Sequence, residues 1–184
     1  MCRPRLVISM ATKKTAIFTL TERVNVSASG TTAFATIDLG SYVDVGDRQA
    51  LQVHSVDFIY QGNDPDEVLQ ATFTSDTQIN CQVTDLNRSQ LVFADDRALV
   101  ASAQLNFDQN ANNLSMEADM FPDNFGKGSD DGRFVVNDAL YIAGRCSGSL
   151  ASSLNITVRV NASIVTLSAK DFMAIAIQST AADN

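Results

Sequence analysis

"LNITVRVNASI", residues 154–164, puts Leu154, Ile156, Val158, Val160, Ala162 and Ile164 on one face of an extended chain. Asn155, Thr157, Arg159, Asn161 and Ser163 take the other face. Period-two alternation of this length marks a half-buried strand, about 35 Å long at the usual rise. Typical strands have only 5 to 6 residues, so the stretch reads as a wall of a sandwich or barrel.

The composition agrees with that reading. Of the 21 acidic residues 18 are Asp and 3 are Glu, and Asp favours turns and loops. Asn, Ser, Thr and Gly are plentiful, whereas the usual residues of surface helices are scarce. The chain of 184 residues suits one domain.

Seven further strands follow from β-branched and aromatic runs bounded by turn residues. "TAIFTLTERV" and "TTAFATIDLG" flank the turn-rich "NVSASG". In "LQVHSVDFIYQ" the apolar phase slips from Leu51 and Val53 to Val56, Phe58 and Tyr60, which predicts a β-bulge. "VLQATFTS" and "TQINCQVTD" read as a hairpin about Ser75 and Asp76, and "ALVASAQLNF" and "RFVVNDALYIAG" complete the set. Residues 108–132 read as one long connection, the best candidate for a contact surface or lid. "SAKDFMAIAIQ", with a capping box of Ser168 and Asp171, predicts a short helix over about 168–178. No internal repeat of 20–50 residues is present.

Charge is uneven. Residues 1–14 carry Arg3, Arg5, Lys13 and Lys14 without an acid, against a net charge of −8 for the whole chain. This predicts a flexible basic N-terminal arm ahead of a single domain over 15–184, with Met10 as a second candidate start. Four charges give a salt slope of only about 3 to 4, so contact with nucleic acid or a membrane surface through the arm is weak for each copy. The longest apolar runs fall well short of a membrane helix, and Lys13 and Lys14 interrupt the secretory-signal-like "LVISMA".

Catalytic chemistry finds little to stand on. His54 is the single histidine and lies inside a predicted strand, without a G-x-S-x-G elbow or a placed cysteine. Phosphate-binding glycine loops are missing, and "GKGSDDG" lacks the flanking strand and helix. Asp95 with Asp96 and Asp130 with Asp131 read as solvated turn residues rather than carboxylates placed across a cleft. Cys2, Cys81 and Cys146 have neither disulfide nor zinc spacing, and the latter two read as core thiols. Sequons at Asn25, Asn87, Asn113, Asn155 and Asn161 are expected by chance in so Asn- and Ser-rich a chain. With no Trp, and with Tyr and Phe not interleaved with basic residues, no stacking platform for sugars or single strands is evident. Catalytic, cofactor-binding and metal-ligating residues are therefore expected to be none. The alternative reading is loop calcium, with Asp64, Asp66 and Glu67, or Asp123, Asp130 and Asp131, as hard oxygen ligands, although no EF-hand pattern occurs.

The order of a short basic arm, eight strands from "TAIFTL" to "LNITVRVNASIV" and a long interstrand loop resembles the single jelly-roll capsid proteins of viruses. The resemblance is architectural, spans nearly the whole chain and includes no diagnostic motif. It implies an all-β, eight-stranded antiparallel sandwich with a short C-terminal helix. It also implies a self-assembling structural subunit of a virion, built inside the host cell, whose partners are copies of itself and other capsid proteins. Few basic residues set this chain apart from RNA-packaging members, and an acidic body suits a shell around a membrane or an already neutralised genome. The alternative is a calcium-dependent cell-surface or adhesion β-sandwich. A cupin-like enzyme would need several metal-binding histidines.

Overall fold

The long alternating stretch forms the centre of one sheet in a computed structural model that describes residues 11–118 and 132–180. Ten strands are present there: β1 (Ala11–Lys13), β2 (Phe18–Val26), β3 (Thr32–Asp38), β4 (Gln49–Gln61), β5 (Thr77–Thr84), β6 (Leu99–Asp108), β7 (Asn113–Ala118), β8 (Arg133–Val135), β9 (Ala139–Cys146) and β10 (Leu154–Leu167). Helix α1 (Ala169–Thr180) follows β10 directly. In β10, Leu154, Ile156, Val158, Val160 and Ala162 are fully buried, and Asn155, Thr157, Arg159 and Asn161 face outward. Burial of each large apolar side chain contributes about 1.5–3 kcal/mol, which fixes which face turns inward.

β10 is paired on both sides. One edge takes β2 along residues 154–162 and then β1 along 165–167, and the other takes β4. With β8 beyond β4, this makes the first sheet. The second sheet has the order β3-β9-β5-β6-β7. The antiparallel pairs are nested: β2 with β10, β3 with β9, β4 with β8, and β5 with β6. This is a chain folded back on itself as one long hairpin and then rolled, so that β10 meets β4 and β9 meets β5. The result is a two-sheet, jelly-roll-like winding.

The core lies between the sheets, where Ile156, Val158 and Val24 of the first meet Ile79, Val83, Leu140 and Ile142 of the second. Gly144 lies at a close approach of the two sheets. A Cβ there would lie 3.2 Å from both Ile156 Cδ1 and Val24 Cγ1. A smaller cluster forms on the outer face of the first sheet, where Phe172 of α1 covers Ala50, Val165, Leu167 and Ala11. The end of β10 is therefore buried on both faces.

The predicted bulge is present. The β4–β10 register shifts between Asn161 and Ala162, which leaves His54 as the extra residue between Ser55 and Val53. The predicted Ser168 cap also forms. Ser168 Oγ accepts the Asp171 backbone N–H at 3.2 Å, and its hydroxyl donates to the Asp171 carboxylate.

The structure differs from these expectations at five points. Ten strands replace eight, because β1 and β7 lie outside the predicted set. Residues 108–132 are not one connection, since 113–118 pair with β6; residues 119–131 lie outside the described part. "VLQATFTS" does not form a hairpin with β5. Both edges of β5 are taken by β6 and β9, so the preceding segment turns through a 3-10 helix (Leu69–Thr72) and buries Phe73 against Phe107. "RFVVNDALYIAG" is two strands in different sheets, broken at Asn137 and Asp138. Of the segment expected as an arm, Ala11–Lys13 are a strand in the first sheet, and residues 1–10 lie outside the described part.

Candidate functional surfaces

His54 occupies the bulge and not a catalytic cleft. Its Nε2 shares a hydrogen bond of 2.8 Å with the fully buried Ser163 hydroxyl, which reaches Gln52 Oε1 at 3.5 Å. Partial burial, and then the charge of Lys13, hold its pKa below the ordinary histidine value. A neutral imidazole that spends one nitrogen on a buried hydroxyl stitches β4 to β10 across the irregular register.

The first acidic loop does not converge on a cation. Glu67 Oε2 accepts the backbone N–H of Asn63 at 2.7 Å, and its Oε1 accepts the Ser152 hydroxyl at 3.2 Å, so this carboxylate closes the turn after β4. Asp123, Asp130 and Asp131 lie outside the described residues. Among the described residues no group of three or more His, Cys, Asp or Glu could hold a metal ion. Asp95 lies in the loop after β5, and Asp96 pairs with Arg88 at 3.1 Å and caps the Ala98 N–H at 2.8 Å. Cys81 and Cys146 are buried core thiols, as expected, and burial pushes both pKa values up. Asn25, Asn155 and Asn161 commit their amides to cross-strand bonds: Asn25 Nδ2 donates to Asn155 Oδ1 at 2.9 Å, and Asn161 Nδ2 to Ser55 Oγ at 2.9 Å. Asn87 accepts the Ser89 N–H at 3.1 Å, and Asn113 opens β7.

Two features escaped the sequence. The first is the Asp85–Arg133 ion pair, at 3.1 Å, which connects the end of β5 to the start of β8. Asn137 Nδ2 donates to the Asp85 carbonyl at 2.7 Å, and Arg133 also donates to the Arg97 carbonyl. Burial outweighs the nearby guanidinium groups and raises the Asp85 pKa. No sequence signal joins residues 48 positions apart. The second is the outer face of the second sheet, where Gln78, Asn80 and Gln82 of β5 stand beside Asn106, Gln104 and Ser102 of β6. Only the pairing register shows which of these residues stand side by side.

Large apolar side chains remain exposed at Ile17, Phe34, Phe93, Met116, Met173 and Ile177. Met173 and Ile177, one turn apart on α1, lie on the side away from Phe172.

No protein-family model and no curated protein matches the sequence. Among solved structures, the chain is similar to VP1 of Trichodysplasia spinulosa-associated polyomavirus, solved in complex with sialylated precision glycooligomers, with a TM-score of 0.41 at 11% identity. That alignment covers 87% of this chain and 98% of the other. Desmodium yellow mottle tymovirus gives a TM-score of 0.33 at 10% identity, over 88% of this chain and 95% of that one. The jelly-roll-like winding rests on the strand order.

Proposed function

We propose that the chain is a structural subunit that assembles with copies of itself into a viral capsid shell. The observation that carries this reading is the nested strand order. Without β1 and β7 it leaves the eight strands of a jelly roll, β2-β10-β4-β8 facing β3-β9-β5-β6. Fold alone does not assign function, and two properties of the surface add to it. His54, Glu67 and Asn161 are committed to bracing strands and turns rather than to a shared site. Exposed apolar side chains on α1 and the β6–β7 side offer area for neighbouring copies. In this reading the N-terminal segment with Arg3, Arg5, Lys13 and Lys14 faces the particle interior, other capsid proteins join the shell, and the virion is the site of action.

The test is the solution mass of the full chain by light scattering across protein and salt concentration, with electron microscopy of the same samples. Discrete oligomers or closed particles are expected. A monomer under every condition overturns the proposal.

A further inference from the structure

The outer face of the second sheet is interrupted by an open groove of about 400 Å³ between the 86–98 loop and β7, within the range of small-molecule sites. Its floor is Asn80, Ser102 and Gln104, with Glu117 on one side and Val92, Phe93 and Ala94 on the other. The register sets Asn80 opposite Gln104, and Gln104 opposite Glu117. Adjacent strands put these three in a row about 10 Å long, the length of two linked sugar rings.

The wall is built in place. Gln82 donates from Nε2 to the Val92 carbonyl and accepts the Val92 N–H at Oε1, both at 2.8 Å. Farther along the loop, the Arg88–Asp96 pair ties its two arms together. Phe93, between these fastenings, is 86% exposed.

The lining selects the ligand. Asn80 Oδ1 accepts from Gln78 and Gln104 Nε2 donates to Asn106, which leaves Asn80 Nδ2 as donor, and Gln104 Oε1 with the Glu117 carboxylate as acceptors. An apolar ligand would bury these groups unpaired, at a loss. Among the described residues no cation lines the groove, and Glu117 and the net charge of −8 repel anions. Hydroxyl groups, which donate and accept at once, fit amides and a carboxylate, and the apolar face of a sugar ring fits against an exposed aromatic. We propose that this groove binds an uncharged saccharide, with Asn80, Gln104 and Glu117 on its hydroxyls and Phe93 against one ring. The row is assembled from three strands and a loop, so the sequence shows no platform.

The proposal holds whether or not the chain forms a shell. It is tested by presenting the full chain to immobilised cello-, chito-, manno- and galacto-oligosaccharides, with sialyllactose as the anionic control, then titrating the retained sugar by calorimetry. Saturable binding of an uncharged sugar is expected. Asn80→Ala, Gln104→Ala and Glu117→Gln should each weaken it about fivefold or more at unchanged melting temperature. Phe93→Ala should weaken it and Phe93→Tyr preserve it, a split that a structural role would not produce. The proposal fails if no uncharged sugar binds, if sialyllactose binds better, or if binding survives the Asn80→Ala/Gln104→Ala double substitution. It also fails if the assembled particle buries Phe93 against a neighbouring copy.

Discussion

Arg133 Nη2 donates to Asp85 Oδ2 at 3.1 Å and thereby ties the two sheets together, since Asp85 directly follows β5 and Arg133 begins β8. The carboxylate is almost fully buried, and the guanidinium is partly open to solvent. Removing the cation should leave a buried, uncompensated charge. Arg133→Met is expected to destabilise the fold by about 3–5 kcal/mol near neutral pH in urea unfolding, and a change below 1 kcal/mol would show that the pair is not closed in solution.

The same residue fixes a pH dependence. Because burial raises the folded pKa of Asp85, its contribution is fully present below the ordinary aspartate value and is lost as pH rises through the raised value. Wild-type stability should therefore fall relative to Asp85→Asn across that window. Parallel stability–pH curves for the two proteins would contradict this.

With a single histidine, the titration of His54 can be followed without assignment. Its midpoint should lie below 6.5 in imidazole NMR spectra, and Lys13→Ala should move it upward, because burial and then Lys13 depress it. The stability tied to neutral His54 is present above the ordinary value and is lost as pH falls through the lowered one. A midpoint above 6.5 would mean that the hydrogen bond to Ser163 favours the charged ring.

Gly144 packs against the facing sheet with no room to spare. Gly144→Ala should cost about 1–3 kcal/mol, because Ile156, Val24 and Val26 must all give way. In a double-mutant cycle Ile156→Val, which removes the Cδ1 atom, should recover part of that loss; strict additivity would show that the strain lies elsewhere.

Truncation should separate the basic N-terminus from β1. Deletion of residues 1–10 should keep the melting temperature, and deletion of 1–13 should lower it, because Ala11–Lys13 pair with Val165–Leu167 and Ala11 is buried under α1. Equal melting temperatures would show that β1 contributes nothing. Losing the cap by Ser168→Ala should cost a further, independent amount of about 1 kcal/mol.

The sequence by itself determined the class of the fold, because side-chain alternation is a local property of the chain. It established β10 and its inward face, the bulge at His54, the two core thiols and the Ser168–Asp171 cap, each written within a few neighbouring residues. It did not separate β8 from β9 or find β7, since three- and six-residue strands carry too little periodicity to read. It misread residues 68–75 as a strand because β propensity does not reveal that both edges of β5 are already taken. Only the tertiary structure decided the nested pairing, the Asp85–Arg133 tie and the row of Asn80, Gln104 and Glu117. These depend on register between strands far apart in sequence, which packing of the shared core selects and no local pattern encodes.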